Sequence, residues 1–153
     1  TMIAELSACL PPLRVGTCTA KVEGKGRRGR PAKVRYQRGQ GRVMARGQER
    51  CVYLLPFDEF GRIASQIQRV SVGNKAAREY LRVFLSGAVD QQPDKQGRIL
   101  LPPPLREHAG LDKEVVVIGV GDYAELWEPG RWQARKEGMR SGEMGAAMEE
   151  LDI

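Results

Sequence analysis

At 153 residues, 41% hydrophobic and 29% charged, the chain suits one globular domain, or two small halves sharing a core. No apolar run approaches the roughly 18 residues that a membrane span requires, so no membrane partner is expected. The formal net charge of +6 is unevenly spread: Lys21 to Arg50 carries eleven Lys or Arg against two acids, a local +9. That asymmetry favours a nucleic-acid surface over the ordinary alternative, a solvated basic face.

In chain order, Thr1 to Leu13 holds scattered apolar residues without a basic lead and is short for a signal peptide. Residues 1–14 therefore read as an N-terminal extension, and a cytoplasmic location is expected. Gly16 to Val22 reads as a strand. Glu23-Gly24-Lys25-Gly26 is a turn, its glycines relieving the steric cost of positive φ. Arg27 to Arg30 should be the next strand, although Arg28-Gly29-Arg30 gives it no apolar residue, and Pro31 can open a helical turn. Arg42 to Ala45 and Cys51 to Leu55 flank a turn at Arg46 to Arg50, and Pro56 stops the second strand. Phe57, Phe60, Ala64 and Ile67, with Ile63 alongside, recur at helical spacing and predict an amphipathic helix of about 12 residues. A second helix runs from Asn74, a plausible N-cap, to Ser86, with Ala77, Leu81, Phe84 and Leu85 on its apolar side. Both stripes read as core packing.

The order then recurs. Gly87 to Gln91 is a strand, Pro93 to Gly97 a turn, Arg98 to Leu101 a strand, and Pro103 to Ala109 a short helix. Glu114 to Val120 is a nearly continuous apolar strand, as expected for burial on both faces. Gly121-Asp122 is a hairpin signal, Ala124 to Trp127 the return strand, and Pro129 starts a short helix carrying Trp132. Past it, glycines and acids predict a flexible acidic tail over 136–153.

One pattern accounts for that recurrence. Gly26-Arg27-Arg28-Gly29-Arg30-Pro31-Ala32-Lys33-Val34-Arg35 and Gly97-Arg98-Ile99-Leu100-Leu101-Pro102-Pro103-Pro104-Leu105-Arg106 both read G-R-x-x-x-P-x-x-x-R, 71 residues apart. An acid precedes each, Glu23 and Asp94, and a lysine lies between, Lys25 and Lys95. Gly47 to Leu55 matches Gly119 to Trp127 at an offset of 72, and Phe60 matches Trp132. The unit is strand, turn, strand, helical turn, hairpin, helix, used twice.

Enzyme chemistry finds little here. No nucleophile–histidine pair, phosphate-binding G-x-x-x-x-G-K-[ST] loop or clustered carboxylates with a basic partner occurs, so no catalytic residue is expected. Three cysteines, Cys9, Cys18 and Cys51, and one histidine, His108, form no disulfide framework or zinc spacing. They read as small core cysteines and a surface histidine, with no metal and no cofactor. A turn with Lys and Arg at its tip suits DNA instead. Arginine pairs bidentately with guanine, and lysine meets phosphate as a point charge. Arg28, Arg30 and Lys33, unique to the first copy, add field and phosphate contacts. Glu23 and Asp94 cap or brace the turn in preference to the alternative, a contact with DNA, since a carboxylate near phosphate is repulsive. Arg35 and Arg106 either touch DNA or brace the turn by pairing with Glu23 and Asp94.

Asp94-Lys95-Gln96-Gly97-Arg98-Ile99-Leu100-Leu101-Pro102-Pro103-Pro104-Leu105-Arg106 resembles the signature of the MraZ family of bacterial transcriptional regulators. Ala109-Gly110-Leu111, Val115 to Gly119, Glu125-Leu126-Trp127 and Leu85 to Ala88 extend the resemblance, which covers Val15 to about Gln133. Copy one departs from it: Arg28-Gly29-Arg30-Pro31 stands where the family has an apolar strand ending in Leu-Pro. The resemblance implies an α+β, mostly β fold of two tandem swapped-hairpin modules of the AbrB type, decorated by short helices. Residues 15–70 and 87–135 would be the modules, and 71–86 a connecting helix. It implies a homo-oligomeric ring, often of eight subunits or more, on double-stranded DNA. It implies repression at direct repeats upstream of the division and cell-wall gene cluster, and a nucleoid-associated location. The family's DNA contacts fall on Lys25 and Arg27, and on Lys95 and Arg98. Two rivals use the same surface: a non-specific nucleoid or RNA-binding protein, and an antitoxin-like DNA-binding protein whose tail inhibits a toxin.

Overall fold

The computed structural model describes residues 2–4, 14–23, 42–91, 99–139 and 141–152. The described strands are β1 (Met2–Ala4), β2 (Arg14–Glu23), β3 (Arg42–Arg46), β4 (Val52–Pro56), β5 (Val89–Gln91), β6 (Ile99–Leu101), β7 (Glu114–Gly121) and β8 (Ala124–Trp127). The described helices are α1 (Phe57–Ser71), α2 (Lys75–Ser86), α3 (Pro103–Ala109), α4 (Pro129–Gly138) and α5 (Ser141–Glu150). A single turn of 3-10 helix, Gln48–Arg50, joins β3 to β4. The class is α+β with an antiparallel sheet. The expectation of a mostly β chain is corrected: helical residues outnumber strand residues among those described. The stripe from Phe57 extends to 15 residues, and the C-terminal stretch expected to be flexible carries the end of α4 and all of α5. Met144, Ala146, Ala147, Met148 and Glu149 are good helix formers, and together they outweigh Gly142 and Gly145.

The sheet order is β5-β3-β4-β8-β7-β2-β1-β6, every pairing antiparallel. Its centre is a pseudo-two-fold axis. Repeat-related strands β4 and β8 pair with Tyr53 opposite Glu125, Val52 opposite Leu126 and Leu54 opposite Ala124. Tyr53 and Glu125 are equivalent positions of the two halves, so the pairing is reciprocal. Outward from the axis the halves exchange strands. β2, which opens the first half, pairs with β7 of the second, Cys18 opposite Val117. β5, which opens the second, pairs with β3 of the first, Val89 opposite Met44. Cys18 and Val89 are related by the 71-residue offset of the motif, whereas the counterpart of Val117 at the hairpin offset of 72 is Ala45, so the two outer pairings differ by one residue in register.

Side chains alternate across this sheet and build two cores. Met44, Val52, Leu54, Val115, Val117, Ala124 and Leu126 face one of them, joined by Ile99 and Leu101 of β6 and by Leu105 and Ala109 of α3. Ala45, Cys51, Tyr53, Leu55, Val116, Ile118 and Trp127 face the other, which Phe84 of α2 fills. The four consecutive buried residues of β7, Val115 to Ile118, thus divide between two interiors, as a doubly covered strand must. A flat sheet would hold β3 and β6 roughly 29 Å apart, at about 4.8 Å per strand. Since both line one core, the sheet curls on itself.

α1 and α2 cover the second core through stacked rings: Phe60 and Tyr80 lie 5.3 and 6.0 Å from Phe84. Burying Phe84 removes its ring from water, worth about 2–3 kcal/mol. Asn74 caps α2 as expected, its Oδ1 accepting from the Ala77 N–H at 3.1 Å. Glu128 caps α4, its carboxylate accepting from Gly130 N–H at 3.0 Å and Arg131 N–H at 2.8 Å. Residues read as an N-terminal extension contribute β1 and the first residue of β2.

Candidate nucleic-acid interface

The described strands that adjoin the two basic motifs lie toward one end of the sheet order. β2 ends at Glu23, the acid before the first turn, and β6 begins at Ile99, directly after Arg98 of the second. Between them lies β1, whose Ala4 pairs with Val22 on one side and Ile99 on the other. Two interstrand spacings, about 10 Å, therefore separate the strand that enters copy one from the strand that leaves copy two. Lys25, Arg27, Arg28 and Arg35 of copy one, and Asp94, Lys95 and Arg98 of copy two, lie outside the described residues. For Glu23 the structure gives the backbone position, opposite Ile3.

Arg106, which closes the second motif, is described in full. Its Nε–H donates to the Leu111 carbonyl at 2.9 Å, and its Nη2 lies 3.6 Å from Asp112 Oδ1. Its own carbonyl accepts from the Leu111 N–H at 3.0 Å. Gly110, at φ 65°, makes the left-handed reversal between them, a conformation in which only glycine is unstrained. Arg106 therefore clamps the end of α3 to the start of the next strand. Its guanidinium is half-exposed and has Asp112 as a partner; Asp94, the partner considered from sequence, lies outside the described residues.

The β3–β4 turn is held more tightly than its sequence suggests. Glu49 and Arg50 both adopt positive φ, 63° and 61°, at a cost of about 1 kcal/mol each or more. Several bonds offset it. Gly47 N–H donates to Cys51 O at 2.8 Å, Gln48 N–H to the Tyr53 hydroxyl at 3.2 Å, and the Cys51 thiol to Gln48 O at 3.3 Å. A Cβ on Gly47 would sit 2.7 Å from Tyr53 Cε1, so the ring packs directly on the glycine. His108 of α3 reaches the Gly47 carbonyl, Nε2 at 3.0 Å. It was expected as a surface histidine; it is half-buried and bridges the halves. Arg46 donates to Val83 O at 3.2 Å and lies over Gly87, tying β3 to α2. The His108 and Arg46 contacts were missed because no local pattern links residues so far apart; within the turn Gly47 alone carried a signal, its match to Gly119.

Electrostatics mark the axis. Burial first, and then the neighbouring Glu125 carboxylate, push the Cys51 thiol far above its ordinary range. Burial likewise raises the Tyr53 and Tyr123 phenols, whose rings meet edge-on at 4.9 Å. Such a cysteine is a packed thiol, not a nucleophile. Among the described residues no group of His, Cys, Asp or Glu is placed to hold a metal ion, and no helix is long and apolar enough to cross a membrane.

A basic motif repeated in sequence, on a chain whose curled antiparallel sheet has two pseudo-symmetric halves, suits a regulator that touches DNA, and the proteins this chain resembles are transcriptional regulators. The family model described as "MraZ protein, putative antitoxin-like" matches residues 84–148. The Transcriptional regulator MraZ of Bifidobacterium longum is 73% identical over 127 residues, spanning 83% of this chain and 85% of its own. Those of Kocuria rhizophila and an Arthrobacter species are each 48% identical, over 119 and 118 residues, spanning 78% and 77% of this chain and 83% of their own. The chain belongs to the MraZ family.

Proposed function

We propose that this protein is a sequence-specific repressor that binds direct repeats in the promoter of a division and cell-wall gene cluster. The observation that carries the reading is the doubled basic turn, set on two halves related by a pseudo-two-fold axis. Lys25 and Arg27 of copy one and Lys95 and Arg98 of copy two meet DNA, with Arg28 adding phosphate contact. Arginine supplies about 1–3 kcal/mol of base discrimination per good pair, and lysine supplies salt-dependent affinity. Glu23, Asp94 and Arg35 hold the turns in shape. The exchange of opening strands between halves supports two swapped-hairpin modules of the AbrB type over residues 15–70 and 87–135.

Copies assemble into a homo-oligomeric ring of eight or more. Once one turn binds, each further turn binds intramolecularly, so weak modules sum to tight occupancy that excludes RNA polymerase. The protein acts in the cytoplasm, at the nucleoid, without catalysis or cofactor. A mobility-shift titration at rising salt tests the reading. A repeat-bearing promoter fragment should shift at far lower protein concentration than random DNA of equal length. Equal affinity for both would sink the sequence-specific claim and leave a non-specific nucleoid protein. The antitoxin-like character ascribed to the family favours one second reading, an antitoxin-like role; co-purification of a toxin bound to the C-terminal segment would carry it.

A further inference from the structure

Helix α5 stands off the rest of the protein, without extensive packing on any other described element. Met144, Ala147, Met148 and Leu151 recur on one face, and Met144, Met148 and Leu151 are 52%, 46% and 70% exposed. Glu143 and Glu150 flank that stripe on one side and Asp152 on the other. Residues 141–153 hold four acids and no Lys or Arg.

A surface of the opposite character lies between the β3–β4 turn and α4. It is an open groove of about 500 Å³ over the buried Trp127, with Met139 and Ala134 as its exposed apolar part and Arg50, Arg131 and Arg135 around it. Glu49, its one acid, is paired with Arg135 at 3.3 Å, and the Arg135 guanidinium also lies 5.6 Å from the Trp127 ring centroid. Arg131 Nη1 is buried and has no hydrogen-bond partner among the described residues. A buried guanidinium N–H left unpaired costs free energy that an incoming carboxylate recovers. The groove is thus suited to an acidic helix with a narrow apolar stripe. α5 follows α4, which lines the groove, by two residues and does not fold back onto it.

We infer that α5 of one copy docks in this groove of a second copy. Met144, Met148 and Leu151 meet Met139 and Ala134, while Glu143 and Glu150 meet Arg50, Arg131 and Arg135. The contact is head-to-tail, so it propagates from copy to copy and closes into a ring where the rotation allows. It rests on the homo-oligomer reading above and adds the surface that makes the oligomer.

Native mass of the full chain by light scattering tests it, with three variants whose fold is checked by circular dichroism. Glu143→Lys with Glu150→Lys, and separately Arg50→Glu with Arg135→Glu, should each at least halve the mass of the wild-type oligomer. Combining all four substitutions reverses both partners and should restore it. A monomeric wild-type chain would overturn the homo-oligomer reading and this inference together. An oligomeric wild type whose mass neither pair changes would overturn the inference alone. Loss of mass without restoration would also overturn it, by assigning the effect to single side chains. Loss of DNA affinity at unchanged mass in the Arg50→Glu, Arg135→Glu variant would make the groove a DNA site instead.

Discussion

His108 Nε2–H donates to the Gly47 carbonyl oxygen at 3.0 Å, joining residues 61 apart in the chain. One belongs to the helix after the second basic motif, the other to the hairpin turn of the first half. The bond sits where β3, β4 and α3 meet, so it couples the geometry of one repeat to the other. His108→Ala leaves the Gly47 carbonyl without this donor and should cost about 1–2 kcal/mol. In urea the unfolding midpoint should fall with the slope unchanged. Gly47→Ala should cost at least as much, because its Cβ would overlap the Tyr53 ring.

Arg106 offers a clean separation of brace from DNA contact. Its bonds to the Leu111 carbonyl and Asp112 are internal. Arg106→Ala should therefore lower the thermal midpoint, by about 1 kcal/mol of stability, while the salt dependence of DNA binding stays as it was. A phosphate contact would behave otherwise: its loss would lower the slope of log K against log salt by about 0.9 with stability intact. That second pattern would move Arg106 from the scaffold to the interface.

Local chemistry made the elements after residue 98 legible. Prolines and glycines punctuate them, so Pro103–Ala109 and Ala124–Trp127 are found where the sequence puts them. β1 carries no such signal: three residues are too few for periodicity, and Met2–Ala4 is a strand only because β2 and β6 lie on either side. The motif repeat revealed which residues are equivalent, yet not that each half lends its opening strand to the other. Pairing partners are a non-local choice, and Cys18 opposite Val117 looks the same in sequence as any alternative register. α5 was hidden by composition, since glycines and acids suggest disorder until Ala146 and Ala147 are weighed. The Arg50–Arg131–Arg135 groove was hidden for another reason: Arg50 lies 81 or more residues before Arg131 and Arg135 and meets them only where the β3–β4 turn packs by α4.

Cys51 should be chemically silent in the folded chain. Its side chain is fully buried, and burial with the Glu125 charge disfavours the thiolate. At pH 8 iodoacetamide should label Cys51 at least ~100-fold more slowly in buffer than in urea, because only the thiolate reacts. Mass spectrometry of the peptide containing Cys51 reads the two rates. Equal rates would show that this core opens freely around β4.

The two lysines of the motifs should behave alike if both turns lie on DNA. Lys25→Ala and Lys95→Ala should each lower the salt slope by about 0.9 per bound turn and weaken promoter and random DNA by similar factors. Arg98→Ala should act differently, narrowing the gap between promoter and random DNA by about 1–3 kcal/mol per lost base contact. Fluorescence anisotropy on both DNAs at several salt concentrations separates the cases. A Lys25→Ala variant with an unchanged slope beside a Lys95→Ala variant with a reduced one would leave copy two as the sole DNA-binding turn.

Glu128 links pH to the helix that lines the α5 groove. Its carboxylate accepts first from the Gly130 N–H and then from the Arg131 N–H at the start of α4, and both bonds hold its pKa below the ordinary carboxylate value. A depressed pKa means the folded state prefers the charged form. The stabilisation is therefore fully present above the ordinary value of about 4.3 and is lost as pH falls through the lowered one. Glu128→Ala should cost about 1 kcal/mol at pH 7, the usual worth of such a cap. The gap between wild type and variant should shrink steadily below about pH 4, as the wild-type carboxylate takes up its proton. Paired urea titrations from pH 7 down to pH 3 measure that gap, and one that stays constant across the range would mean the cap does not act through its charge.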